Sequence, residues 1–144
     1  MTLHISLNGK DIAEYGITPT DGFLNVLCKP AGLKKIVTNA NAAFDGVVAV
    51  ITSDRKRDSR SFTLNFYIKS TSLIDRTRDL ERLEAALIAG KNNSGVNELY
   101  VAELEKCYRI IYENPAAFNS VVGEKAIVGF KFMEYCPTEE NRQP

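Results

Sequence analysis

Apolar and polar residues alternate along several short segments of the chain. The clearest alternation runs from Ser61 to Lys69, where four apolar residues share one face. A period of two residues is typical of a β-strand that buries one face. The same reasoning, extended to short apolar runs, predicts strands at 3–7, 10–15, 23–28, 47–51, 61–69, 98–104, 106–113 and 125–135.

The period changes after Ser72, which with Asp75 resembles a helix-capping box. Residues 72–89 favour an amphipathic helix, and Gly90 suits the position just after its last residue. Glu84 lies close to the apolar stripe of this helix and has no evident partner. The stripe consists of Leu73, Leu80, Leu83 and Leu87, with Ile74 and Ile88 near its edges.

The remaining segments contain turn and loop signals. Asn8-Gly9 is the pair that a tight hairpin turn accepts best. Residues 29–46 have little regular period and predict a long loop, a kind of segment that is usually functional or disordered. Residues 53–60 are polar and read as a solvated connection. Asn114-Pro115 is expected to end the strand before it, and 138–144 to be loose.

The order of elements predicts a mainly β (α+β) fold. Strands come first, then the helix at about 72–89, then more strands. Such an order favours an antiparallel β-sandwich or open barrel with one helix packed against it. Residues 1–137 are expected to form a single domain, because no internal repeat or composition break divides them.

Composition narrows the possible functions. The 144 residues include 18 Lys plus Arg and 18 Asp plus Glu, so the formal net charge is zero. No global positive field would attract nucleic acid. No apolar run approaches the roughly 18 residues of a membrane span. The alternating start differs from a signal peptide, so we expect synthesis in a cytoplasm and no membrane partner.

The chain offers few groups for catalysis or metal binding. His4 is the only histidine and alternates away from its apolar neighbours, so it is expected to face solvent or a partner. The three cysteines are too widely spaced for a disulfide framework or a metal site and are expected to be reduced thiols. Phosphate-loop and nucleophile motifs are absent from the sequence. We therefore expect neither an enzyme nor a cofactor. The cysteines are Cys28, Cys107 and Cys136.

Five motifs in order resemble tailed-bacteriophage tail proteins of the distal tail, tail-tube-like family. Each motif alone is weak, whereas their order and spacing together are more specific. The resemblance covers roughly residues 1–137. The motifs are VTNANAAFDGVVAV (37–50), SRSFTLNFYIKSTSLID (59–75), LEAALIAGK (83–91), ELYVAELEKCYRIIYE (98–113) and AIVGFKFMEYCP (126–137).

The resemblance implies a tail-tube-like β-sandwich that assembles into a homo-oligomeric, hexameric ring in the virion tail of a phage or prophage. The ring would link the tail tube to the baseplate or tip. Its other partners would be tube, tape-measure and tip proteins, and DNA would meet it only by passing the lumen. The position as tube, distal ring or tail-completion protein stays open. Six aromatic residues would form the core: Phe62, Phe66, Tyr108, Tyr112, Phe130 and Phe132.

Mapped onto this resemblance, self-association would use the loop 29–46 and the basic stretch 55–60. An exposed charged loop is the simpler interpretation of that stretch. We expect this basic stretch and the acidic stretch 134–140 to lie near subunit contacts, so that raised salt loosens the assembly. The alternatives are a small ligand- or peptide-binding β-domain without catalysis and, third, an enzyme. The candidate self-association residues are Lys34, Lys35, Asn39, Asp45, Arg55, Lys56, Arg57 and Arg60.

Overall fold

The computed structural model describes residues 3–33, 37–40, 47–50, 57–118 and 126–144, with 37–40, 47–50, 117 and 118 described by their backbone alone. The described residues contain the α-helices α1 (Phe23–Cys28) and α2 (Leu73–Ala89), together with 3₁₀ turns at Ile12–Tyr15, Lys91–Asn93 and Glu140–Arg142. The strands are β1 (Ile5–Leu7), β2 (Lys10–Asp11), β3 (Ile17–Pro19), β4 (Val37–Ala40), β5 (Val47–Val50), β6 (Arg60–Ile68), β7 (Asn97–Val101), β8 (Lys106–Phe118) and β9 (Ala126–Glu134).

Seven of the strands form one antiparallel sheet in the order β2-β1-β7-β8-β9-β6-β3. The sheet curls into a half-barrel, and α2 packs on it. The prediction of a mainly β, open-barrel fold with one central helix is therefore confirmed. Next to the edge strand β3, β6 pairs with β9 over its whole length, from Arg60 opposite Glu134 to Ile68 opposite Ala126.

The predicted aromatic core is confirmed, with two of its members at the edge. Tyr108, Phe66, Phe130 and Phe132 are buried, whereas Phe62 and Tyr112 are partly buried and pack against the same cluster. The Tyr112 and Phe130 rings meet edge to face, with 5.7 Å between centroids. This is a favoured aromatic geometry. The large side chains of β6, β8 and β9 therefore fill the inside of the curl.

The helix α2 begins and ends where the sequence predicts. The Ser72 hydroxyl accepts a hydrogen bond from the backbone N–H of Asp75, and Gly90 follows the last turn with φ of 71°. Leu83 and Leu87 are buried. The predicted stripe is too wide, however, because Leu73, Ile74 and Ile88 are exposed. Near the start of the helix, the buried side chain is that of Arg76, which donates to the Ser70 carbonyl at 2.7 Å.

Glu84 had no evident partner in the sequence, and in the structure its partner is Tyr112 on β8. The Tyr112 hydroxyl donates to Glu84 Oε2 at 2.9 Å, so the carboxylate beside the apolar stripe is hydrogen-bonded to the sheet. Burial, and then this hydrogen bond, raise the pKa of Tyr112 above its ordinary value. The contact ties α2 to the edge of the core.

Near the start, the predicted strand 10–15 is wrong in part and the predicted strand 23–28 is wrong. The Asn8-Gly9 turn is confirmed, with φ of 53° and 86°. The returning strand has only two residues, however, because the Asp11 side chain accepts from Ala13 N–H and caps a 3₁₀ turn. Residues 23–28 form α1 rather than a strand, since Phe23 and Leu27 lie one turn apart and both are buried in the core.

Three boundary predictions are also wrong. Strand β8 continues through Asn114-Pro115 to Phe118, because register shifts there let the proline sit in an irregular part of the ladder. The predicted loop 29–46 contains β4, which pairs with β5. The segment 138–144 is docked on the sheet instead of loose. Its 3₁₀ turn places Arg142 on Glu134, and Arg109 binds the carbonyls of Asn141 and Gln143.

Candidate self-association site

Strands β4 and β5 form a hairpin of their own. Val37 pairs with Val50 and Ala40 with Val47 in an antiparallel register. Within the described residues, neither strand is hydrogen-bonded to the seven-stranded sheet. In the sequence, residues 36–52 contain a single charged residue, Asp45. The hairpin is thus a strand pair with little charge that stands apart from the ladder of the body.

The chain enters and leaves this hairpin through what we call the hairpin root, residues 29–33 and 57–60. Leu33 and Arg57 form an isolated bridge. The Asp58 N–H donates to the Gly32 carbonyl at 2.8 Å, and Arg57 Nη1 donates to the Ala31 carbonyl at 2.8 Å. The two sides of the root are therefore fastened to each other before the hairpin begins.

Arg60 fastens the root to the body. Its Nη1 donates to the Lys29 carbonyl at 2.7 Å and to the Val26 carbonyl at 3.4 Å. Its Nε donates to Glu134 Oε1 at 2.6 Å. One guanidinium on β6 thus connects the end of α1, the root and strand β9.

Glu134 is the centre of a buried charged cluster. Its side chain is 0% exposed and also pairs with Arg142, whose Nε lies 2.8 Å from Oε2 and whose Nη2 lies 2.8 Å from Oε1. The hydrogen bond from Arg142 to Glu134 raises the pKa of the arginine, against the opposing effect of burial. Two guanidiniums on one carboxylate leave one net positive charge, and buried charges need such pairing.

Aromatic rings enclose this cluster. The Arg60 guanidinium carbon lies 4.7 Å from the Phe62 ring centroid, and that of Arg142 lies 4.9 Å from the Tyr108 ring centroid. A guanidinium over an aromatic face is attracted to the ring. Arg60 Nη2 is buried and has no hydrogen-bond partner among the described residues.

The structure places few of the sequence-predicted self-association residues. Asn39 lies on β4 opposite Val48, and Arg57 is an exposed residue of the root. The prediction of a solvated connection over 53–60 is wrong at Arg60, which is 9% exposed. The physical reason is the pairing with Glu134. The others lie outside the described residues: Lys34, Lys35, Asp45, Arg55 and Lys56.

The two stretches of opposite charge meet each other at one point within a single chain. Arg60 from the basic stretch and Glu134 from the acidic stretch are cross-strand partners in the β6–β9 register. Sequence reasoning noted both stretches but assigned them to contacts between subunits, and it missed Arg142. The only signal for the Arg60–Glu134 pair was their opposite charge at the ends of two long strands. That signal can be interpreted only when the β6–β9 register is known.

The other candidate groups do not assemble into a reactive site. His4 is exposed, as predicted, and its Nδ1 lies 2.8 Å from Glu103 Oε1. All three cysteines are free thiols, and burial raises the pKa of Cys107. Across the described ranges, no group of three or more His, Cys, Asp or Glu side chains could hold a metal ion. No helix in those ranges is long and apolar enough to cross a membrane.

A groove of about 620 Å³ is lined by residues 3–4, 11–13 and 17–25 and by Lys69. Apolar side chains such as Ile12, Ile17 and Phe23 contribute to its lining, and charged residues such as Asp21 and Lys69 come from different elements. Polar side chains such as Asp11, Thr20 and Asn25 line it as well, so the arrangement provides space and polar groups for a ligand.

Comparison with known proteins identifies a solved structure with the same fold. No protein-family model matches the chain. No curated protein matches it either. The chain is similar to SPP1 Dit (gp 19.1), whose crystal structure is described as a paradigm of the hub adsorption apparatus in phages that infect Gram-positive bacteria. The TM-score is 0.63 at 14% identity, over 95% of this chain and 50% of that one. The chain thus spans about half the length of Dit, and the likeness shows a shared fold.

Proposed function

We propose that this protein is a structural subunit of a phage or prophage tail, without catalytic activity. Its copies assemble into a hexameric ring, and this ring links the tail tube to the baseplate or tip. The observation that carries the proposal is the fold shared with SPP1 Dit over 95% of the chain. The motif order in the sequence supports the same assignment.

The hairpin is the part of the chain best suited to contact a neighbouring copy. In the described residues its strands pair with each other outside the ladder of the body, and the sequence 36–52 is mostly uncharged, with Asp45 as its one charge. Short apolar strands with free edges are ready templates for pairing with another chain. The hairpin of one copy would lie against the body of the next.

Charged residues beside the hairpin would set the register of this contact, because rim charges steer and orient an interface more than they strengthen it. The exposed Arg57 is one of them. Arg60 acts indirectly, by holding the root to the body. The remaining residues proposed for the contact are Lys34, Lys35, Asn39, Asp45, Arg55 and Lys56.

Light scattering over a range of micromolar concentrations tests the assembly. We expect a particle several times the 16.0 kDa chain mass, and closed rings in negative-stain electron microscopy. Raised salt is expected to shift the particles toward monomer, since rim charges are screened. A monomer at every concentration and salt would overturn the ring. The alternative is a ligand-binding domain, for which the groove of about 620 Å³ provides space. A monomer that binds a small molecule in this groove would favour that alternative.

A further inference from the structure

Glu134 is shared between two parts of the molecule that are far apart in sequence. The root reaches it through Arg60, which binds only Oε1, by its Nε at 2.6 Å. The C-terminal segment 138–144 reaches it through Arg142, which binds both carboxylate oxygens. One buried carboxylate therefore connects the position of this segment with the position of the root.

The two arginines compete for Glu134, and the geometry leaves room for a second arrangement. Arg60 Nη2 is buried and has no partner among the described residues. Oε2 of Glu134 has Arg142 as its donor. When Arg142 leaves, Oε2 loses this donor and is open to a new one. Arg60 can then offer both Nε and Nη2, the parallel pair of bonds that a carboxylate prefers.

The second arrangement would change the root. Arg60 Nη1 holds the Lys29 carbonyl at 2.7 Å and the Val26 carbonyl at 3.4 Å. A guanidinium that turns to grip Glu134 with two nitrogens tilts away from these carbonyls, because its five donors lie in one rigid plane. Residues 29–33 of the root then lose the hydrogen bond that joins them to Arg60 on β6.

We propose that the C-terminal segment 138–144 controls the position of the hairpin root through Glu134, the carboxylate that both bind. We call this coupling the latch. With the segment docked, Arg142 binds both oxygens of Glu134, and Arg60 binds the Lys29 carbonyl of the root. With the segment undocked, Arg60 turns to Glu134 and the root loosens. A partner that displaces 138–144 would thereby change how the hairpin is presented. This coupling operates within one subunit, whether or not the hairpin contacts another copy.

Amide hydrogen exchange on the full chain tests the latch. The probe is the Asp58 N–H, which bonds the Gly32 carbonyl across the root. Arg142→Met keeps side-chain bulk beside the Tyr108 ring and removes both bonds to Glu134. We expect this variant to exchange the Asp58 amide at least about tenfold faster than the parent, a change of about 1.4 kcal/mol in local opening. Amides of β9 report that the body is still folded.

Arg109→Met is the matched control. Arg109 Nη1 holds the same segment by the carbonyls of Asn141 and Gln143 and makes no bond to Glu134. This variant loosens the segment but keeps both bonds from Arg142 to Glu134, so it should speed exchange at the Arg142 amide and speed the Asp58 amide much less than Arg142→Met does. If Arg142→Met fails to fold, Arg142→Lys takes its place, and a smaller acceleration at Asp58 is expected. A parental Asp58 rate in the Arg142 variant, or equal acceleration in both variants, would overturn the latch.

Discussion

The body and the hairpin use apolar sequence in different ways. In the body, β6 pairs with β9 and α1 packs against it, and Leu64, Phe66 and Phe130 are nearly inaccessible to solvent. The strands of the hairpin, Val37–Ala40 and Val47–Val50, contain no charged residue, and they pair with each other and with no strand of the larger sheet in the described part of the chain. Apolar residues thus build a core in one region, whereas uncharged residues form a separate strand pair in the other.

This difference separates stability from assembly. Burial of apolar area is the main favourable term in folding, so the body carries the free energy of folding. A two-stranded hairpin is at best marginally stable alone in water, and it gains most from a further strand or surface. We therefore expect changes in the body to alter stability and changes in the hairpin to alter association.

Truncation of Phe130 should have the largest effect on the body. Phe130 is fully buried and contacts the Tyr112 and Phe66 rings. We expect Phe130→Ala to lower the free energy of unfolding by about 3–5 kcal/mol, the usual cost of removing a core aromatic ring. Chemical denaturation measures it. Ile88→Ala is the control, because Ile88 is 63% exposed, and a change of more than about 0.5 kcal/mol there would mean that α2 has a covered outer face.

Loss of the Tyr112 hydroxyl should have a smaller effect. Tyr112→Phe keeps the ring contacts and removes the bond to Glu84, so the unfolding free energy should fall by about 1 kcal/mol. The spectrophotometric tyrosine titration should also lose its most alkaline component, since burial and the Glu84 carboxylate raise the pKa of Tyr112. Tyr135→Phe, at an exposed site, should leave stability unchanged. Equal losses in the two variants would contradict the tie between α2 and β8.

Long periodic segments were predictable from the sequence, and short or coupled ones were not. The period of two over 61–69 and the capped stripe of 72–89 correspond to β6 and α2 within a residue. Residues 23–28 are too few to distinguish the two periods, and only the joint burial of Phe23 and Leu27 reveals a helix. The proline in β8 misled because a bulge, which depends on the partner strand, can accommodate it.

The charged cluster depends on information that a local pattern does not contain. Arg60 and Glu134 become partners only through the β6–β9 register, and Arg142 joins them only because the final turn folds back on β8. The hairpin residues that lie outside the described ranges keep their proposed role in assembly. For the part of the site that the structure does describe, the sequence predicted the location of Arg57 at the surface and misplaced Arg60.

The separation of body and hairpin is tested most directly by replacing residues 36–54 with a tight Asn-Gly turn. The antiparallel bridge between Leu33 and Arg57 sets the register for such a turn. Sedimentation velocity of this variant and the parent chain gives the assembly state, and denaturation gives the stability. We predict that the parent forms rings, whereas the variant is a monomer with an unfolding free energy within about 1 kcal/mol of the parent. Rings in the variant, or a variant that does not fold, would contradict the account.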